Sequence, residues 1–223
     1  MKALILLNGT PPSDALLSEH AGAQLVVCAD GAANWALKAG VTPDILIGDM
    51  DSISEAARVQ LEKSGCEIVR LPAYKNETDA HIAADIAIAR GADEITLLGA
   101  LGGRLDHALG NLLLLRRIAG KGICACIADD RMRCWATNTT ITLAGKVGDV
   151  VSVLPAQGEG TLELAHSDGL EWPLDGLRLA SDYPRGISNR FIAERATITV
   201  RSGWAVIIKT DAGGLKKENG KKT

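Results

Sequence analysis

Aromatic residues are scarce in this chain: they make up 3% of its 223 positions, with one Phe and two Tyr. A core without large rings must be built from Ala, Leu, Ile and Val, which suits layered α/β packing, and the four Trp stand out against it. Strong charge of either sign is missing too, since 24 Lys and Arg against 27 Asp and Glu leave a net −3. Nothing in that balance points to nucleic acid or a lipid surface as a partner. No apolar run reaches membrane-spanning length, and residues 2–7 are too short and too soon followed by polar residues for a secretory leader. The expectation is a soluble, cytoplasmic protein with no membrane or nucleic-acid partner. CxxC pairs are also absent. Five cysteines, Cys28, Cys66, Cys124, Cys126 and Cys134, form an odd set that argues against a disulfide framework and a common zinc site. Cys124 and Cys126 fall on one face of an expected strand and read as small buried hydrophobes.

What is present is a 47% hydrophobic composition, enough for a substantial core in one large domain or two small ones. Continuous apolar runs at 3–7, 25–28, 45–47, 68–71, 95–98 and 123–128 read as strands buried on both faces. Helical patterns lie between them at 32–39, 54–64, 78–90 and 105–119, each followed by a glycine that reads as a C-terminal cap: Gly40, Gly65, Gly91 and Gly120. Strands joined by helices predict a mainly parallel sheet in an N-terminal α/β domain. After about Asp130 the pattern becomes short β runs at 139–143, 150–154, 161–164, 177–179, 196–200 and 205–209, predicting an antiparallel β-sandwich or barrel. The lysine-rich end lacks periodicity and reads as a tail without structure.

Ligands of parallel sheets bind at the carboxyl ends of strands, and each of the first five strands is followed there by a polar cluster. Asn8-Gly9, Asp30-Gly31, Gly48-Asp49-Met50-Asp51-Ser52, residues 74–79 and residues 99–107 would gather at one edge. Asp49 and Asp51 are two apart, so in an extended segment their carboxylates point the same way while Met50 turns toward packing. Two adjacent carboxylates repel unless a divalent cation lies between them, and magnesium favours a few carboxylates plus substrate phosphates. A solvated acidic turn capping the next helix accounts for the same five residues. Asp79 follows Thr78, a plausible N-cap, and its charge suits a helix N-terminus with or without a ligand. The glycines of 99–107 permit close backbone approach at a helix N-terminus suited to anions, with Arg104 able to bind phosphate oxygens bidentately. In the β-rich part, Trp172 offers an indole for stacking on a flat or cationic ring, and Ser188 with Asn189 can hydrogen-bond polar edges. Without further context, a core Trp and a simple Ser-Asn turn are the favoured reading of those residues.

Taken in order, Asp30-Gly31, Gly48-Asp49-Met50-Asp51-Ser52, residues 75–79, Gly102-Gly103-Arg104-Leu105-Asp106-His107 and Gly186-Ile187-Ser188-Asn189 resemble the motif set of the thiamine pyrophosphokinase family. The resemblance spans nearly the whole chain. It implies an ATP-binding catalytic α/β domain over 1–132, a thiamine-binding β-sandwich over 133–213 and a basic tail over 214–223. It also implies a homodimer with active sites between subunits, and transfer of a diphosphate from ATP to the hydroxyethyl group of thiamine, giving thiamine diphosphate and AMP. Carried over by position, Asp49, Asp51 and Asp79 would hold magnesium on the ATP phosphates and, with Arg104, form the catalytic set. Asp30, Gly31, Lys75, Thr78, Gly103, Asp106 and His107 would join Asp79 and Arg104 around ATP, and Trp172, Ser188 and Asn189 would surround thiamine. The chain departs from the family pattern at Asn76, where Asp is usual, at His81, where Glu is common, and at Met50, which replaces Phe.

Overall fold

The computed structural model of the chain describes residues 1–72, 74, 76–156, 161–183 and 185–214. Lys75 and the tail from 215 onward therefore lie outside the described residues. The chain divides into two compact units, Met1–Asp130 and a second beginning at Arg131.

In the first unit, β1 (Lys2–Leu6), α1 (Asp14–Glu19), β2 (Leu25–Ala29), α2 (Ala32–Lys38), β3 (Ile45–Gly48), α3 (Glu55–Ser64), β4 (Glu67–Arg70), α4 (Asp79–Ala89), β5 (Glu94–Leu98), α5 (Leu105–Ala119) and β6 (Cys124–Ala128) alternate, as the periodicity predicts for all of them but α1. The six strands are all parallel, in the order β6-β5-β1-β2-β3-β4. Helices cover the sheet and bury most interior residues of the strands other than the edge strand β4; Ile5, Leu6, Leu46, Ile95 and Leu97 are among the largest fully enclosed side chains. Strand order reverses at β1, which lies between β2 and β5, so the crevice for a ligand opens beside the carboxyl ends of β1 and β5.

Local chemistry sets the helix boundaries. Ser13, Ser54 and Thr78 cap α1, α3 and α4, each side chain accepting from a backbone N–H three residues on. Gly40, Gly65 and Gly91 take positive φ after their helices, as expected of C-terminal caps. Gly120 does not; it keeps φ −63 while Gly122, two residues later, adopts φ 78. Cys124 is exposed and Cys126 only half-buried, a correction to the reading of both as core residues: β6 begins at Cys124, before the helices cover it.

The second unit holds β7 (Met132–Thr137), β8 (Thr140–Ala144), β9 (Val150–Pro155), β10 (Leu162–Asp168), β11 (Arg178–Leu179), β12 (Asn189–Arg190), β13 (Arg195–Ser202) and β14 (Ala205–Thr210). They form two antiparallel layers, β12-β9-β14-β7 and β11-β10-β13-β8. Alternate residues point inward: Ala196, Ile198 and Val200 of β13 meet Leu164, Val153 and Ile207 in a shared core, while Thr197 and Thr199 face outward. The single Phe, Phe191, is 1% exposed there, and a Cβ at Gly145 would stand 2.8 Å from its ring. No helix among the described residues is long and apolar enough to cross a membrane.

Candidate functional site

The carboxyl ends of β2 and β3 bring three carboxylates together. Asp30, Asp49 and Asp51 each offer an oxygen within 4.8 Å of the others. The reason differs from the one the spacing suggested. The 49–51 segment is not extended: Met50 has φ 69, and the chain folds into a turn in which the Asp51 N–H donates to Asp49 Oδ1 at 3.3 Å. Met50 does pack against the core, as expected. Asp30 is also left-handed, at φ 38, so two non-glycine residues hold an uncommon backbone conformation within one cluster. Gly48 makes room for this, since a Cβ there would lie 2.7 Å from that of Asp30.

Asp30 is 7% exposed. Its Oδ2 accepts from the Ser52 N–H at 3.4 Å, while Oδ1 is buried with no hydrogen-bond partner among the described residues. Burial pushes its pKa up to about 6, helped by the charges of Asp49 and Asp51 and opposed by the Ser52 N–H. An enclosed carboxylate oxygen lacking a donor, beside two further carboxylates, is a donor set that fits a hard divalent cation. The residues therefore fit the metal that the sequence reading implied, with Asp30 inside the cluster.

Asp79 is not among the three clustered carboxylates; it opens α4, where Thr78 accepts from the His81 N–H at 3.2 Å. Lys75 lies outside the described residues. Gly31 sits against Asn8, whose Nδ2 would stand 2.5 Å from a Cβ at that position.

At the switch point, β1 and β5 hand over to loops that are hydrogen-bonded together. The Gly9 N–H donates to Gly99 O at 2.8 Å, and the Thr10 N–H to Leu101 O at 2.9 Å. Gly99 and Gly102 have positive φ and are crowded by Leu7 O and Thr10 Oγ1, whereas Gly103, at φ 67, faces open space. Arg104, at the N-cap of α5, is exposed and held by Asp106 through two contacts, Nε to Oδ1 at 3.1 Å and an end nitrogen to Oδ2 at 2.5 Å. That pairing raises the pKa of Arg104 and lowers that of Asp106. The His107 N–H donates to the same carboxylate at 3.0 Å, leaving the imidazole exposed.

In the second unit, Trp172 is 51% exposed, which excludes the core reading of its indole. Asn189 is 4% exposed and its amide is engaged with the chain around that Trp: Oδ1 accepts from the Trp172 and Arg190 N–H groups, and Nδ2 donates to Trp172 O at 2.6 Å. Its role in this geometry is to hold the Trp172 loop. Ser188 is exposed at φ 62, with its N–H on Ser152 Oγ at 3.1 Å.

Sequence reasoning missed Asn34, whose amide connects the turns after β2 and β3. The available signal was a single amide in the first turn of a helix whose other residues up to Leu37 are apolar, where Asn has low intrinsic propensity.

Two family descriptions match the chain: "Thiamin pyrophosphokinase, catalytic domain" over residues 17–127, and "Thiamin pyrophosphokinase, vitamin B1 binding domain" over residues 138–205. A thiamine pyrophosphokinase of Bacillus subtilis is 29% identical over 191 residues, covering 78% of this chain and 81% of that protein. Thiamine pyrophosphokinase 1 of Oryza sativa is 34% identical over 139 residues, 52% of each chain. Among solved structures, that of the Bacillus subtilis thiamine pyrophosphokinase superposes with a TM-score of 0.83 at 25% identity, covering 95% of this chain and 99% of that one. The thiamin pyrophosphokinase of Geobacillus thermodenitrificans gives 0.80 at 27%, covering 96% and 99%.

Proposed function

Because this chain belongs to the thiamine pyrophosphokinase family, matched by both of its domain descriptions, we propose that it transfers a diphosphate from ATP to the hydroxyethyl oxygen of thiamine. The observation that carries the reading is the convergence of Asp30, Asp49 and Asp51 at the end of a parallel sheet, with Asp30 Oδ1 buried and lacking a donor.

In this reading Asp49 and Asp51 would hold magnesium, with Asp30 beside them, and Asp79, the third ligand implied by the family resemblance, would join them from the start of α4; the ion would supply charge neutralisation on the phosphate oxygens. The chain's own groups bind and orient the substrates. Exposed Arg104 meets phosphate oxygens when Asp106 releases part of its hold, and the open backbone at Gly103 allows phosphate to approach the N-terminus of α5. Gly31, Thr78, Lys75, Asp106 and His107 complete the nucleotide side. Trp172 presents its exposed face for stacking on thiamine, Asn189 fixes the loop that carries it, and Ser188 offers a hydroxyl at the same rim.

The thiamine oxygen bonds to the β-phosphorus of ATP, its proton passes to a nearby carboxylate or water, and the bond from the β-phosphorus to the oxygen bridging it to the α-phosphorus breaks. AMP leaves with that electron pair. Little covalent work falls to the protein, so alignment and charge stabilisation account for most of the acceleration. A homodimer and a cytoplasmic location belong to the same proposal. Asp51→Asn removes one carboxylate without changing shape and is expected to abolish thiamine-dependent AMP release, measured chromatographically. A near-normal rate would remove Asp51 from the mechanism.

A further inference from the structure

The two acidic turns are separate pieces of chain, yet one side chain joins them. Asn34, in the first turn of α2, donates from Nδ2 to Gly31 O at 3.1 Å and to Ser52 O at 2.9 Å, while its Oδ1 accepts from the Ser54 N–H at 2.9 Å. Gly31 directly follows Asp30, Ser52 directly follows Asp51, and Ser54 caps α3. The network fixes the amide's orientation. Reversed, it would set its oxygen against two carbonyls and its NH2 group against an N–H.

The turns that Asn34 joins are those with the unfavourable features. Asp30 and Met50 are left-handed without being glycine, and the Asp30, Asp49 and Asp51 carboxylates repel one another in the absence of a cation. Without a cross-link the repulsion is relieved by separating the turns after β2 and β3. Asn34 is half-buried between them and ties both main chains directly next to the carboxylates. We infer that Asn34 is a positioning residue that sets the spacing of Asp30 against Asp49 and Asp51, so that the site is formed before a divalent cation arrives. The inference rests on the reading of those carboxylates as a cation site.

Mn2+ titration of the nucleotide-free protein, followed through the electron paramagnetic resonance signal of free Mn2+, separates this role from activity. Asn34→Ala and the milder Asn34→Ser are compared with Asn111→Ala. Asn111 is a buried amide that also ties down a loop, donating to Ala100 O at 2.8 Å, but away from the carboxylates. Loss of a group that orients metal ligands weakens affinity by about tenfold or more, so both Asn34 variants are expected to bind Mn2+ at least that much more weakly, with Asn111→Ala unchanged. Mn2+ binding by the Asn34 variants equal to that of the unaltered protein would overturn the inference. So would an equal loss in Asn111→Ala, which would trace the effect to general loosening, or failure of both Asn34 variants to fold, which would make the residue purely structural. No Mn2+ binding by the unaltered protein would instead remove the cation site itself, a result distinguishable from all of these.

Discussion

Asp30 has a left-handed backbone, near-complete burial and two carboxylate neighbours, and the last two oppose an ionised side chain without a cation. Its folded pKa of about 6 lies above the ordinary 3.8. Between those values the folded state binds more protons than the unfolded chain, so stability falls as pH rises from about 4 to 6 and stays lower above that. Asp30→Asn removes the penalty while its side-chain oxygen can still accept from Ser52. The metal-free variant is expected to be more stable at pH 7.5 by about 1–3 kcal/mol and to lose the decline between pH 4 and 6, as read by thermal melts across that range. A variant less stable than the unaltered protein at pH 7.5 would contradict the account of Asp30.

At the scale of elements, the second unit depends on a buried ion pair that anchors β9 and β14. Asp149, 3% exposed, accepts from the Lys146 and Ala212 N–H groups at 2.9 Å each and from Lys209 Nζ at 3.0 Å. Burial raises the Asp149 pKa, but those donors outweigh it and hold the carboxyl below its usual range. The backbone of Asp149 also accepts from Phe191, two residues beyond Asn189. Asp149→Ala leaves Lys209, among the described residues, with only the exposed Asp211 at 2.8 Å, so a loss of about 3 kcal/mol is expected in denaturant unfolding. A loss below about 1 kcal/mol would mean that the pair matters little.

Elements were legible where periodicity was strong. The six parallel strands and the four longer helices follow from continuous apolar runs closed by glycine caps. Three short elements were not. α1 spans six residues, too few for a helical period to register, and β12 has two. β7 lay hidden because Arg133 and Trp135 interrupt the alternation that would have marked it, although both pair with β14. The site divides in the same way: Asp49 and Asp51 announce themselves by spacing, whereas Asn34 and the true shape of the Met50 turn depend on contacts between segments that spacing does not encode.

For the whole molecule, the proposal includes a homodimer, so sedimentation at micromolar concentration is expected to give twice the chain mass; a monomer active in solution would separate the reaction from assembly. The central claim is a reaction with a distinctive pair of products. With magnesium, ATP and thiamine, phosphorus NMR of the complete mixture is expected to show AMP and thiamine diphosphate rising in equal amounts, with no AMP when thiamine is left out. Formation of ADP in place of AMP, or nucleotide turnover indifferent to thiamine, would contradict the account.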